Sequence, residues 1–192
     1  MSNSLSEKSL VLLKPDTVQR GLVGEIITRF EQTGLKIVAM KMAYASKELA
    51  GKHYAEDEKW LLSVGEKASK AAMSRGEKPA GTPLEIGKRI RTQLMDYISM
   101  SPVVAIVIEG HNAVLTVRKL IGPTSPENAQ PGTIRGDFSH ETYVMADSRG
   151  RPIQNLIHAS ESTAEAEREI KIWFRKDEIH SYIRVDEGLI YR

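Results

Sequence analysis

The chain contains five histidines, His53, His111, His140, His158 and His180, and no cysteine. A thiolate nucleophile, thiolate metal sites and disulfides are therefore excluded at the outset. A histidine taken singly reads most simply as a surface or satisfied core residue. His158 has a less ordinary setting, because it follows the apolar strand segment Asn155-Leu-Ile157 and precedes Ala159-Ser-Glu-Ser162, which leads into a capped helix. A side chain there stands at a strand end beside a helix N-terminus, where free N–H groups and the helix dipole favour an anion such as phosphate. With a reference pKa of ~6.5, an imidazole is largely neutral and nucleophilic near neutral pH and can take a phosphoryl group covalently.

That chemistry needs cations to neutralise the transferring oxygens and a carboxylate to hold the ring in one tautomer. Lys14, Arg118 and Arg135 are the candidate cations. Each has a plainer alternative: Lys14 pairing with Asp16, Arg135 pairing with Asp137, and Arg118 as a solvated helix residue. Glu169 is the candidate carboxylate. It lies about two turns into the helix after His158, next to apolar Ile170, so it can face inward. Its alternative is an exposed helix glutamate.

The elements that must position these groups follow from periodicity. Residues 10–13 are a short buried strand stopped at Lys14-Pro15. Val23, Ile26, Ile27 and Phe30 fall at helical spacing before Gly34, a C-terminal stop. Residues 35–44 read as a half-buried strand, 47–54 as a short helix, and 103–108 as the strongest strand and the sheet centre. A helix over 113–121 ends at Gly122-Pro123, and a long loop over 124–137 follows, of a length that is usually functional. The last strand covers Leu156-Ile157. Ser162 to Glu165 spells a capping box for a helix burying Ala166, Ile170, Trp173 and Phe174, and a final short helix is expected over 178–183. Two stretches exceed a minimal domain: 55–91, a charged helical excursion with a turn in it, and 141–152, ending in a hairpin tip. Without them the order strand, helix, strand, strand, helix, strand remains, which predicts an α+β, ferredoxin-like split βαβ sandwich with an antiparallel four-stranded sheet.

Composition agrees with a folded, single-domain protein of 192 residues. Lys plus Arg is 27 against 25 Asp plus Glu, so the net charge of +2 gives no general field for nucleic acid or an anionic membrane. The longest apolar run, 103–108, is too short to span a bilayer, and the expected compartment is the cytoplasm.

The residues then match a family. Asn155-Leu-Ile-His-Ala-Ser-Glu-Ser162 resembles the active-site signature of nucleoside diphosphate kinases, and three further blocks agree in order: 13–26, Ser101-Pro-Val-Val-Ala105 and Pro131-Gly-Thr-Ile-Arg-Gly-Asp-Phe138. The resemblance implies an enzyme that moves the terminal phosphate of a nucleoside triphosphate, typically ATP, onto a nucleoside diphosphate by a ping-pong cycle through phosphorylated His158. It implies support of His158 by Glu169 and Ser160, with Tyr54 beside it. Lys14, Arg118, Thr124, Arg135 and Asn155 would contact phosphates and ribose. Mg2+ would arrive on the nucleotide phosphates. The implied assembly is a homo-oligomer, with a hexamer favoured and a tetramer or dimer as alternatives.

There are departures from the family pattern. Both extra stretches lengthen the chain, as in archaeal-type members. Counting back from Pro102 puts Leu94 at an apolar wall position and Ile90 where the family has a base-stacking aromatic, a role Trp60 could supply instead. Ser101 stands where the family often has Gly, Glu161 replaces the usual Asp, and Tyr191-Arg192 replaces a common acidic ending. Two other readings compete: a nucleotide-binding protein without catalysis, against which the complete set of candidate residues argues, and nucleic-acid binding through 55–91. That stretch, with eight basic and six acidic residues and little aromatic interleaving, favours the latter weakly.

Overall fold

The computed structural model describes residues 6–190, so Tyr191 and Arg192 lie outside the described residues. The chain runs β1 (Ser6–Leu13), α1 (Pro15–Gln19), α2 (Val23–Glu31), β2 (Lys36–Ala43), α3 (Lys47–His53), α4 (Glu58–Ser74), α5 (Pro83–Ser99) and β3 (Val103–His111). It continues with α6 (Ala113–Ile121), α7 (Ile134–Phe138), α8 (Tyr143–Ser148), β4 (Ile157–Ala159), α9 (Thr163–Trp173) and α10 (Glu187–Ile190). The strands form one antiparallel sheet in the order β2-β3-β1-β4, the ferredoxin-like α+β arrangement the sequence predicts.

Period-two alternation divides the apolar residues between two faces. Leu10, Leu12, Ala105 and Val107 pack against Ala50 of α3, Ile98 of α5, and Ala166, Ile170 and Trp173 of α9. Val11, Leu13, Val104, Ile106 and Ile108 pack against Ile26 and Phe30 of α2 and Val117 and Ile121 of α6. Cover on both faces explains why β3 reads as an unbroken apolar run. In the β1–β4 register His158 lies opposite Leu12, which puts the imidazole on the face covered by α3 and α9.

The excursion over 55–91 is a helical hairpin, α4 against α5, with α5 running on to Ser99. Two glycines set its closeness. A Cβ on Gly65 would lie 1.7 Å from the Pro83 carbonyl oxygen, and one on Gly87 would lie 2.1 Å from that of Leu61. Both obstacles are backbone, so the helices would have to part. Gly87→Ala should cost about 3 kcal/mol, the upper end of overpacking, and lower the thermal midpoint. An unchanged midpoint in differential scanning calorimetry would show that the hairpin does not depend on this contact.

Several local expectations are corrected. The hairpin tip at 147–152 is instead the end of α8, which Thr142 caps by accepting the Met145 N–H, followed by a turn at Gly150 with φ 60°. The helix over 178–183 is absent. Only Lys176–Glu178 forms a 3-10 turn, and the following backbone is tied to β2 by His180 N–H donating to the Val38 carbonyl (2.8 Å) and Tyr182 Oη to that of Ile37 (2.7 Å). Ser162 does accept the Glu165 N–H, but the Glu165 carboxylate turns to Arg168, so the capping box is half made. The stretch 124–137 is not wholly loop: Pro126–Asn128 makes a 3-10 turn, and Thr133 caps α7 by accepting the Gly136 N–H. The sequence reading takes Pro15 as a strand stop and passes over α1, where that proline occupies the first helical position. The last strand starts at Ile157, because Leu156 is left-handed.

Candidate active site

The strand end that carries His158 is held by the turn after β1. Leu156 has φ 72°, an uncommon conformation for leucine. Three bonds fix it: the Lys14 N–H (2.8 Å) and Thr17 Oγ1 (2.6 Å) donate to its carbonyl oxygen, and its own N–H donates to Asp16 Oδ2 (3.0 Å). Residues 14–17 thus supply both a cation and the clamp that aims the next two functional side chains, Asn155 and His158. The sequence reading names Asp16 only as an alternative partner of Lys14 and passes over Thr17, although both stand in the same motif block.

His158 Nε2 lies 2.8 Å from Glu169 Oε1, and the other carboxylate oxygen accepts from Ser160 Oγ at 2.6 Å. Ser160 Oγ in turn accepts the Leu10 N–H at 3.2 Å, which ties the carboxylate to the sheet. Glu169 is buried, contrary to the exposed alternative. Burial works to raise its pKa, but the hydrogen bond to His158, the pull of the two neighbouring imidazoles and the Ser160 hydroxyl outweigh it and hold the carboxyl at about 2. An ionised carboxylate accepts only, so Nε2 carries a proton, and in the neutral ring the lone pair is on Nδ1.

His53, at the end of α3, is a residue the sequence reading left among the ordinary histidines. Its ring is 4.6 Å from that of His158 at an interplanar angle of 88°, and its Nδ1 accepts from Trp173 Nε1 at 3.4 Å. Nδ1 also lies 3.8 Å from Glu169 Oε1, while Nε2 is buried without a hydrogen-bond partner among the described residues. Desolvation, then the charge of His158, lower its pKa well below the usual value, so it stays neutral. Its helix is apolar on the core side, and nothing in the spacing separates it from a core histidine.

The cations behave differently from one another. Lys14 is buried, and its Nζ donates to Asn155 Oδ1 at 2.7 Å. Asn155 Nδ2 donates to the Thr124 carbonyl at 2.7 Å, so one amide links the lysine to the loop after α6. Desolvation and the charge of Arg135, opposed by Asp16, lower the Lys14 pKa to about 7. Arg135 is a clamp: Nε donates to the Asn155 carbonyl, Nη1 to those of Gly122 and Pro123, and Nη2 to that of Ile157. One N–H remains for a ligand. Desolvation and the charge of Arg118 bring its pKa down to about 10. Asp137, its sequence alternative, pairs instead with Arg29. Arg118 is exposed on α6, and its guanidinium makes no hydrogen bond or ion pair to another described residue.

These groups converge on a cavity of about 860 Å³. Lys14, Tyr54, Leu94, Arg118, Thr124, Arg135, Asn155, His158 and Glu169 all line it, while Ser160 sits behind Glu169. Burial and the Glu169 charge push the Tyr54 phenol up, so it stays protonated. Trp60 of α4 lines the same cavity; Ile90 lines a different one, between the helical hairpin and residues 147–151. No helix among the described residues is long and apolar enough to cross a membrane. In its neutral form the imidazole, backed by a fixed carboxylate, can attack a phosphorus atom, and the three basic side chains lining the same cavity can stabilise the charge that builds on its oxygens.

Comparison with known proteins points the same way. The family model for nucleoside diphosphate kinase matches residues 7–62 and 85–179. A nucleoside diphosphate kinase of Pyrobaculum aerophilum is 52% identical over 178 residues, covering 90% of this chain and 97% of that protein. One from Pyrococcus abyssi is 46% identical over 187 residues, covering 97% and 96%. Among solved structures, an NDP kinase from Pyrobaculum aerophilum superposes with a TM-score of 0.89 at 50% identity, covering 92% of this chain and all of that one. A Borrelia burgdorferi nucleoside-diphosphate kinase described as a transition-state mimic with bound vanadate and ADP gives 0.78 at 40% identity, covering 96% of each.

Proposed function

The chain belongs to the nucleoside diphosphate kinase family, and on that premise we propose that it moves the terminal phosphoryl group of a nucleoside triphosphate onto a nucleoside diphosphate through phosphorylated His158. In the first half-reaction Nδ1 attacks the γ-phosphorus. An N–P bond forms, the bond to the β–γ bridging oxygen breaks, and the nucleoside diphosphate leaves. In the second, a different diphosphate takes the phosphoryl group back by the reverse displacement. Glu169, anchored by Ser160, holds the Nε2 proton throughout and steadies the charge on the ring. Lys14, Arg118 and the spare N–H of Arg135 neutralise the transferring oxygens, Asn155 and Thr124 position phosphates and ribose, and Tyr54 closes the side of the ring. Leu94 and Trp60 form the apolar wall for the base. The observation that carries the reading is the His158–Glu169–Ser160 chain opening onto a cationic cavity.

Membership in a nucleotide-binding kinase family implies a need for a divalent cation. The phosphate end of the cavity is lined by basic side chains, and the cluster of possible metal ligands among the described residues is two histidines and one glutamate, a set poorly suited to Mg2+. Mg2+, a hard ion that keeps water and phosphate oxygens, is therefore held by the nucleotide. The chain acts as one domain with additions near 55–91 and 141–152, in the cytoplasm, as a closed homo-oligomer. A hexamer is the favoured size. The edge strand β2, with Met40 and Met42 exposed and Tyr44 just beyond, supports self-association.

Incubation with a labelled nucleoside triphosphate should leave acid-labile phosphate on the protein, and an unlabelled diphosphate should remove it. Absence of label from an enzyme that turns over would refute the covalent route. The arginines separate by their partners. Arg118→Ala should slow transfer ~10- to ~1,000-fold with an unchanged melting temperature, since it loses an electrostatic donor and no internal bond. Arg135→Ala should slow transfer and also lower the melting temperature by several degrees, because four carbonyls lose their donor at ~1 kcal/mol each. Equal melting temperatures for the two variants would contradict the clamp.

A further inference from the structure

We propose that His53, His158 and Glu169 form a binding site for a borderline divalent ion of the Zn2+ or Co2+ kind. The three side chains offer one ligand atom each within 4.8 Å of one another. His158 Nε2 to Glu169 Oε1 is 2.8 Å and His53 Nδ1 to the same oxygen is 3.8 Å. Tetrahedral zinc with ligand bonds of ~2.0–2.1 Å needs donors about 3.3 Å apart; each histidine is within about half an ångström of that spacing from Glu169, and the two imidazoles close in on one another from within 4.8 Å. Two imidazoles and one carboxylate with a fourth position open to the cavity are the ligand set of catalytic zinc centres, and the same set is a poor one for Mg2+.

One further feature points to an ion. His53 is buried, and its Nδ1 is held loosely, by the long 3.4 Å bond from Trp173, with the Glu169 oxygen 3.8 Å away. The facing charges set the limit. Arg168 lies 3.9 Å from Glu169 Oε1, and Lys14 and Arg118 line the same cavity, so affinity falls below that of a structural zinc site.

Binding would switch the ring. An ion on Nε2 takes the place of the proton that Glu169 accepts, and the imidazole stays neutral by carrying that proton on Nδ1. The lone pair that attacks phosphorus is then gone, so the ion and the phosphoryl group exclude each other. This consequence rests on the reading of His158 as nucleophile; the site itself does not.

The test uses the full-length protein without nucleotide, titrated with Co2+ for its visible d–d absorption and with Zn2+ against a chromophoric chelator. One equivalent should bind with a tetrahedral cobalt spectrum, and Zn2+ should displace it. His53→Gln and Glu169→Gln should each weaken binding ~10- to ~100-fold or more, at unchanged far-ultraviolet circular dichroism. No binding, an octahedral spectrum, or wild-type affinity in both variants, which would place the ion on exposed histidines such as His111, His140 or His180, overturns the proposal. Binding to the wild type that is lost in the variants, with phosphoenzyme formation by the ion-loaded wild type unaffected, upholds the site and counts against His158 as the nucleophile.

Discussion

His158→Ala is expected to abolish both half-reactions, lowering nucleotide exchange by ~10⁴-fold or more, because the variant loses the atom that forms the covalent bond while every cation stays in place. The fold should survive. His158 sits at a cavity wall opposite Leu12 on a three-residue strand, and its side chain meets the core at Glu169 and the His53 ring. Nucleotide should still bind, since Lys14, Arg118 and Arg135 supply the phosphate contacts. Equilibrium binding that matches the wild type within a few-fold, together with absent transfer in a coupled spectrophotometric assay, is the expected pair of results. Retained transfer would mean that a second nucleophile or direct passage between nucleotides carries the reaction.

Lys14 gives the second large effect and a distinctive pH signature. Lys14→Met should slow transfer ~100- to ~1,000-fold, as loss of one preorganised donor does, and the hydrogen bond to Asn155 Oδ1 goes with it. The sign of the pH effect follows from burial. In the empty cavity its pKa is about 7, whereas the unfolded value is near 10.5. Between these limits the unfolded chain binds more protons than the folded one, so this group makes stability rise with pH from about 7 upward. A phosphate arriving beside Nζ restores the charged form. Nucleotide binding above pH 7 should therefore take up a proton, detected as a dependence of binding enthalpy on buffer ionisation enthalpy. Lys14→Met should remove that dependence; its persistence would assign the proton elsewhere.

The fold was legible because two kinds of strong local signal coincide in this chain. The continuous apolar runs of β1 and β3 and the helical periods of α2, α6 and α9 come from burial on two faces of one sheet, which periodicity reports directly. What escaped depends on contacts between distant segments. The backbone of 178–183 is claimed by β2 and so does not coil, and α8 replaces a hairpin because Thr142 can cap a helix that Gly150 ends. At the site, His158 and Lys14 could be found from their places at strand ends, and Glu169 from its place beside apolar Ile170 in the helix that follows His158. The double use of Arg135 could not, since its four acceptors are carbonyls of residues 122, 123, 155 and 157, which no side-chain pattern encodes. His53 was invisible for a similar reason: its meaning lies in a ring 105 positions away in the sequence, 4.6 Å away in space.

The central claim is that Nδ1 of His158 becomes covalently phosphorylated. Exposing the protein to a nucleoside triphosphate alone, quenching in alkali and locating the phosphate by mass spectrometry and phosphorus NMR tests it most directly. The account predicts an acid-labile phosphoramidate on His158 at Nδ1, discharged by any nucleoside diphosphate. Phosphate on Nε2 or on another residue, or no covalent phosphate at all in a sample that still exchanges nucleotides, would contradict it.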